Sequence, residues 1–132
     1  MLEGPGGISI IPGASGLSEL VDCDEDTRLH LLEQVQNLEL AHDFLIIDNS
    51  TGVHSAVRTL ALAADRVLLF TTTETTAIAD AYASLKVVCE SPTPPIDLVV
   101  NQVKSSAQAK DIASRVQQTA RMFAKCKIGY AG

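Results

Sequence analysis

The sequence has few of the features that mark disulfide-rich, metal-binding or membrane proteins. Its three cysteines, Cys23, Cys89 and Cys126, are far apart and show no Cys-x-x-Cys spacing, which predicts reduced thiols. The three histidines are isolated and predict no metal-ligand cluster. No apolar stretch reaches the ~18 residues of a membrane span, and the first residues lack the basic region and apolar run of a signal peptide. We therefore expect a cytoplasmic protein.

Basic charge is also scarce. The chain has 10 lysines and arginines against 16 aspartates and glutamates, and its net charge of −6 argues against a nucleic-acid-binding surface. The 132 residues, 46 % of them apolar, suit a single globular domain spanning 1–132. Some basic residues do cluster in the last third, where a solvated helix face is the simpler interpretation: Lys104, Lys110, Arg115, Arg121, Lys125 and Lys127.

The sequence does have a regular alternation of short apolar runs with longer segments of helical period. Strands are predicted at 7–11, 43–48, 66–71, 96–101 and 127–130, and helices at 24–40, 53–63, 75–89 and 107–124. Runs such as Leu45–Ile47 and Val67–Phe70 are apolar on both faces, which is typical of parallel strands covered by helices on both sides. The predicted fold is therefore α/β, a three-layer sandwich with a mainly parallel sheet.

The most informative segment joins a predicted strand to an acid and a glycine turn, in Phe-Leu-Ile-Ile-Asp-Asn-Ser-Thr-Gly at 44–52. Asp48 stands at the carboxyl end of that strand, where open α/β sheets place ligands. Gly52 lets the backbone come close to a ligand. In nucleoside triphosphatases such an acid holds Mg²⁺, usually through water. The chain nevertheless contains no G-x-x-x-x-G-K-[ST] loop that would hold the phosphates.

Three other segments have both a functional and a structural interpretation. The glycine-rich segment 7–16 follows a predicted strand, but it carries no lysine and Pro12 removes a donor, which favours a structural turn. Thr71–Thr76 offers hydroxyl caps for a helix and also lies at the ligand edge of the predicted sheet. Asn101 closes a predicted strand, where its amide suits either an adenine edge or a simple loop.

Four motifs, taken in order, resemble the MinD/ParA deviant Walker ATPases. They are Ile-Pro-Gly-Ala-Ser-Gly at 11–16, Leu-Ile-Ile-Asp-Asn-Ser-Thr-Gly at 45–52, Thr-Thr-Thr-Glu-Thr-Thr-Ala-Ile-Ala-Asp-Ala-Tyr at 71–82 and Val-Val-Asn-Gln-Val at 99–103. The resemblance covers nearly the whole chain and points to the FlhG branch, also called FleN or YlxH, which regulates flagellar number and placement. It implies a P-loop NTPase-like fold.

The resemblance also implies a role for individual residues. Asp48 matches the Walker B acid that supports Mg²⁺, and Gly52 matches the switch glycine whose amide senses the γ-phosphate. Asn101 matches a position that contacts adenine in many members, with Gln102 beside it. Members of the family bind ATP and Mg²⁺ and dimerise around ATP, and many bind membranes through a C-terminal amphipathic helix.

The chain departs from this family pattern in one large respect. The first family strand and its Lys-Gly-Gly-x-Gly-Lys-Thr loop are absent from these residues, as is the membrane helix. We therefore expect a fragment of a FlhG-like ATPase, serving flagellar placement or the positioning of division or partition, which by itself has no catalytic residue and binds neither ATP nor Mg²⁺. The alternative is a non-catalytic protein-interaction module on the same scaffold.

The missing strand has a structural consequence. In the family it lies between the strand that carries Asp48 and the strand that begins at Arg66. An unfilled gap would leave buried backbone groups unpaired and strand edges exposed. We therefore expect either direct pairing of these two strands or association with a second copy or a protein partner, and membrane contact only through segments that these residues lack.

Overall fold

A computed structural model describes residues 1–12, 24–49, 55–89 and 94–132. Gly52, and the glycine turn that begins at Gly13, lie outside the described residues. In chain order the elements are β1 (Leu2–Glu3), a 3-10 turn (Pro5–Gly7), β2 (Ser9–Ile10), α1 (Glu25–Ala41), α2 (Ser55–Ala63), β3 (Val67–Thr71), α3 (Thr75–Val88), β4 (Ile96–Val100), α4 (Ser106–Thr119), a π-helical turn (Ala120–Ala124) and β5 (Gly129–Tyr130).

The helices begin where local capping chemistry directs them. Asp24 caps α1, since its carboxylate accepts a hydrogen bond from the Thr27 backbone N–H at 2.8 Å. Ser105 caps α4, and its hydroxyl accepts from the backbone N–H of Gln108 at 3.2 Å. The Gln108 side chain reaches back and accepts from the Lys104 N–H at 2.9 Å, which makes a variant of the capping box. The predictions of helices from 24 and 107 are therefore confirmed to within one residue at their starts.

Three strands form a parallel sheet in the order β3–β4–β5. The register runs from Val67 opposite Ile96 to Thr71 opposite Val100. On the other side of β4, Asp97 stands opposite Gly129. This sheet confirms the predicted strands at 66–71, 96–101 and 127–130 and their parallel arrangement, and it makes the molecule an α/β protein.

Gly129 and Asp97 fix the junction between β4 and β5. A Cβ atom on Gly129 would overlap Oδ1 of Asp97, so glycine is the residue that fits opposite this carboxylate. The other carboxylate oxygen of Asp97 accepts a hydrogen bond from the Arg66 guanidinium, which precedes β3. The Asp97 side chain thus links both neighbours of the middle strand.

The core lies between the sheet and one layer of helices. Ile96, Leu98 and Val100 alternate along β4 and point into this core, where Leu98 has no exposed surface. Because β3, β4 and β5 succeed one another in the same direction, right-handed crossovers place α3 and α4 on the same face. A hydrogen bond of 3.3 Å from the Tyr82 hydroxyl to the Arg115 carbonyl joins the two helices. The helical residues of the core are Ala61, Leu85, Val88, Ala109, Ile112, Ala113, Val116 and Ala120.

The opposite face of the sheet differs from the predicted three-layer arrangement. Leu68 and Phe70 project from β3 away from the core, and they are 53 % and 61 % exposed. Within the described ranges this part of the sheet therefore has a helical layer on one side only. Because the strands are apolar on both faces, the sequence predicts helices on both sides of the sheet. In the described structure the outward apolar side chains of β3 have no such cover.

The prediction of a strand at 43–48 is wrong for the described structure. Residues 44–49 lie in neither a helix nor a strand, and Phe44 and Ile46 are 88 % and 90 % exposed. A strand exists only through hydrogen bonds to a neighbour, and among the described strands the expected partner, β3, pairs with β4 only. The expectation that the Asp48 and Arg66 strands pair directly is therefore wrong as well.

The N-terminal strand was only partly predicted. Of residues 7–11, Ser9 and Ile10 form β2, and they pair antiparallel with Leu2–Glu3 rather than joining the parallel sheet. The 3-10 turn between these strands contains Gly6 and Gly7 at φ of 73° and 82°, which glycine adopts without a steric penalty. The resulting hairpin is a small sheet separate from the main one.

Candidate functional site

The carboxyl ends of the three parallel strands meet at one edge of the sheet. The Asn101 N–H donates to the Thr71 carbonyl at 2.8 Å, which joins the ends of β3 and β4. The Val100 N–H donates to the Gly132 carbonyl at 2.7 Å, which joins β4 to the residues after β5. Ligands of open α/β sheets bind at this edge, so the residues that extend from it form the candidate site.

Asn101 and Gln102 occupy the turn that leaves β4 at this edge. The Asn101 side-chain oxygen accepts a hydrogen bond from the Gln102 N–H at 2.8 Å, and Gln102 adopts a left-handed φ of 57°. Both side chains are exposed. The amide nitrogen of Asn101 and a second lone pair on its oxygen stay free of this turn, which is the donor and acceptor set that an adenine edge would need.

Thr71 is a buried polar residue at the same edge. It is 3 % exposed, and its hydroxyl has no hydrogen-bond partner in the part of the chain that is described. The next residue, Thr72, accepts a hydrogen bond from the Glu74 N–H at 3.2 Å and so shapes the start of α3. The sequence singled out the whole threonine-rich segment 71–76. Within this segment only Thr71 is buried, because it pairs with β4. The local sequence does not predict that pairing.

Asp48 lies outside the strands that form this edge. Its segment carries no regular structure, and the residue is exposed. No hydrogen bond or ion pair joins Asp48 to another described residue. Across residues 1–12, 24–49, 55–89 and 94–132, no group of three His, Cys, Asp or Glu side chains could hold a metal ion.

Asn101 and Gln102 therefore follow β4 at the carboxyl edge of the sheet, and Asp48 lies on an irregular segment that belongs to no described strand. Gly52 lies outside the described residues. The buried hydroxyl of Thr71 is the feature that sequence reasoning did not single out.

Comparison with known proteins confirms the resemblance. The chain is 26 % identical to the antiactivator FleN of Pseudomonas aeruginosa over 133 aligned positions, which cover 100 % of this chain and 48 % of FleN. It is 24 % identical to the flagellum site-determining protein YlxH of Helicobacter pylori, over 96 % of this chain and 43 % of YlxH. The chain thus spans about half the length of these curated relatives. No family model matches it.

Among the described residues, no helix combines the length and the apolar character needed to cross a bilayer.

The orphaned hydroxyl of Thr71 leads to a testable prediction about stability. Thr71→Val replaces a buried hydroxyl that lacks a partner with a methyl group of similar size, so the desolvation cost disappears. We expect the free energy of unfolding of this chain, measured by urea denaturation, to rise by about 1 kcal/mol.

Thr71→Ser is the matched control, because it keeps the hydroxyl and removes only the methyl group. It should lower the stability through the small cavity that it leaves. A loss of stability in Thr71→Val would show that the hydroxyl has a partner in solution.

Proposed function

We propose that this chain is part of a FlhG-like regulator of flagellar number or placement. The observation that carries the proposal is the extent of the two matches, which cover 96 % and 100 % of the chain. One of these relatives is named for determining the flagellum site and the other is named an antiactivator. The parallel order β3–β4–β5 is compatible with such an ATPase scaffold.

In this proposal residues 1–132 form a partial MinD-like domain in the cytoplasm, a P-loop NTPase-like fold without its first strand and phosphate loop. Asp48 has the role of the Walker B acid and Gly52 that of the switch glycine. Asn101 and Gln102 contact adenine, which their exposed position at the ligand edge supports. ATP and Mg²⁺ are then the ligands of the longer protein rather than of these residues alone.

The proposed inactivity of the chain rests on what the phosphate loop supplies. In P-loop ATPases that loop provides both the lysine on the β- and γ-phosphates and the hydroxyl on Mg²⁺. The pair Lys104-Ser105 resembles the lysine and hydroxyl residue at the end of a phosphate loop, but no glycines precede it. Ser105 already caps α4, and the Lys104 N–H is engaged with Gln108. The Ser105 hydroxyl is therefore committed to the start of a helix.

We also propose that the chain associates with itself or with a protein partner through its uncovered apolar surface. That surface comprises the segment 44–47 and the outward side chains Leu68 and Phe70 of β3. In the described part of the chain, the edge of β3 away from β4 offers unpaired backbone groups to a further strand. Leu68 and Phe70, two positions apart on one face of β3, form an exposed apolar pair of the kind that a partner covers.

The alternative function is a non-catalytic interaction module that uses the same uncovered surface. The upstream reading frame separates the two proposals. In-frame codons for a Gly-Lys-Thr loop before Met1 would favour the ATPase, whereas a stop codon there would favour the interaction module.

Calorimetry tests the claim about nucleotide. Titration of ATP with Mg²⁺ into the 132-residue chain should detect no binding tighter than about millimolar, because the groups that hold phosphate are absent. Micromolar binding would contradict the claim. A longer protein with the phosphate loop is the positive control.

Light scattering with size-exclusion chromatography tests the association. We expect the apparent mass of the chain to rise above 14.0 kDa with concentration. Phe70→Lys should reduce that rise, since it places a charge on the uncovered face. Leu40→Lys is the matched control, because Leu40 is 89 % exposed on α1 and lies outside the proposed surface. Equal association of both variants, or a monomer at every concentration, would contradict this proposal.

Flagellar counting tests the cellular role. Deletion of the encoding gene from its source bacterium should change the number or position of flagella seen by electron microscopy. Re-expression of the full gene should restore the pattern, and Asp48→Asn should not, because the amide removes the charge expected to support Mg²⁺. Asp43→Asn makes the same chemical change five positions earlier and should restore it. Unaltered flagella after deletion would refute the proposal.

A further inference from the structure

The surface at the end of α4 has a charge opposite to that of the rest of the chain. All 16 aspartates and glutamates lie at or before Asp111, and the lysines and arginines that follow it are Arg115, Arg121, Lys125 and Lys127. Arg121, Lys125 and Lys127 are exposed, and in the part of the chain that is described no ion pair engages them. A chain with a net charge of −6 therefore presents a local basic surface.

The π-helical turn exposes an aromatic side chain next to these charges. Along α4 the buried face repeats at helical spacing through Ile112, Val116 and Ala120, and in a continuous α-helix Phe123 would follow on that face. In the π-helical turn Phe123 is instead 79 % exposed, and Met122 is 65 % exposed. Turns of this kind are frequent at functional sites. The dipole of α4 accounts for cations at its end, but not for an exposed aromatic ring beside them.

A groove of about 380 Å³ lies beside this apolar pair. Its lining follows one face of α4 and of the π-helical turn, at the spacing of helix neighbours: Ser114, Gln117, Gln118, Arg121 and Met122. These side chains offer a hydroxyl, amides and a guanidinium but no carboxylate, and Met122 provides an apolar wall. The Gln117 amide nitrogen donates to the Ile128 carbonyl at 3.0 Å, which ties this face to the segment before β5. The groove therefore suits an elongated ligand that is anionic and partly apolar.

We propose that the basic–apolar surface, formed by Arg121, Met122, Phe123 and Lys125 together with this groove, docks an acidic amphipathic helix of a partner protein. Apolar side chains of that helix pack against Met122 and Phe123. A carboxylate beside them accepts two N–H groups of the Arg121 guanidinium, a geometry that arginine favours. Charge complementarity and the course of the groove along one helix face indicate this kind of partner.

The basic–apolar surface is separate from the sites described above. It precedes β5, at the amino edge of the parallel sheet, whereas Asn101 follows the carboxyl end of β4. The uncovered apolar surface proposed for association belongs to β3 and to the segment 44–47. Docking of a helix at the end of α4 therefore requires neither nucleotide binding nor the proposed flagellar role.

A helix suits this surface better than an extended polyanion does. A DNA duplex or an anionic bilayer reaches beyond the basic–apolar surface and faces the acidic remainder of the chain, which repels it. A single helical segment can keep its charges within about 8 Å of Arg121 and Lys125, the distance over which physiological salt leaves such charges largely unscreened.

Fluorescence anisotropy tests the docking with the full 132-residue chain. The probe is a fluorescein-labelled peptide of about 16 residues that repeats Leu-Glu-Glu-Leu, so that it can form an acidic amphipathic helix. We expect a dissociation constant of about 100 μM or tighter, and weaker binding as the salt concentration rises. A peptide with lysine in place of glutamate should not bind, and one with alanine in place of leucine should bind about tenfold more weakly.

Four variants locate the binding on the molecule. Arg121→Glu and Phe123→Ser should each raise the dissociation constant about tenfold, because they remove the cation and the aromatic contact. Lys104→Glu makes the same change of charge at the other end of α4, and Phe44→Ser removes an exposed ring elsewhere; both should bind the peptide as the unaltered chain does. Circular dichroism checks that each variant keeps its helices. Phe123→Ser decides the test if the charge reversal unfolds the chain, because the Phe123 side chain lies outside the core.

Several outcomes would overturn the proposal. One is the absence of binding by the acidic peptide, and another is an equal loss of binding in the two control variants. Tighter binding of phosphatidylserine vesicles or of a DNA duplex than of the peptide would overturn it too, since the surface would then serve a polyanion.

Discussion

The structure depends on the pairing of β4 with a strand on each side. β4 is the one described strand of the main sheet that has two neighbours, and its inward residues Ile96, Leu98 and Val100 are all buried. Backbone groups in such a position cannot exchange their partners for water, so the pairing must be complete for the core to form. Asp97 reinforces it from the other face, by binding Arg66 beside β3 and by standing against Gly129 in β5.

The same need for a neighbouring strand explains why some apolar residues stay exposed. Among the described residues, β3 has a strand partner on one edge only, and its outward side chains Leu68 and Phe70 remain exposed. The segment 44–47 has equally apolar residues but pairs with no described strand, so its hydrophobicity does not make it a strand. Apolar character provides a reason to be buried, whereas a strand also needs a row of hydrogen bonds that only a neighbour supplies.

The difference between local interactions and pairing with a distant strand determines how much of the structure the sequence could predict. Helix starts follow from side chains within a few residues, and so Asp24 capping Thr27 could be predicted from local spacing alone. β3 and β4 were also predictable, because their crossover helix lies between them in the chain. The irregular state of the segment around Asp48 was not predictable, because an apolar run favours a strand whether or not a neighbour pairs with it. The orphaned hydroxyl of Thr71 has no local signal either, because it arises where distant segments pack together.

The two halves of the candidate site therefore depend on different interactions. Asn101 is held by the hydrogen bond of its backbone to Thr71, so its position requires only the pairing of β3 with β4. The segment before Asp48 pairs with no described strand, so the hydrogen bonds of the sheet do not fix the position of its carboxylate. A ligand that contacts both Asn101 and Asp48 would stabilise whichever arrangement brings the two together, by its preference for that arrangement.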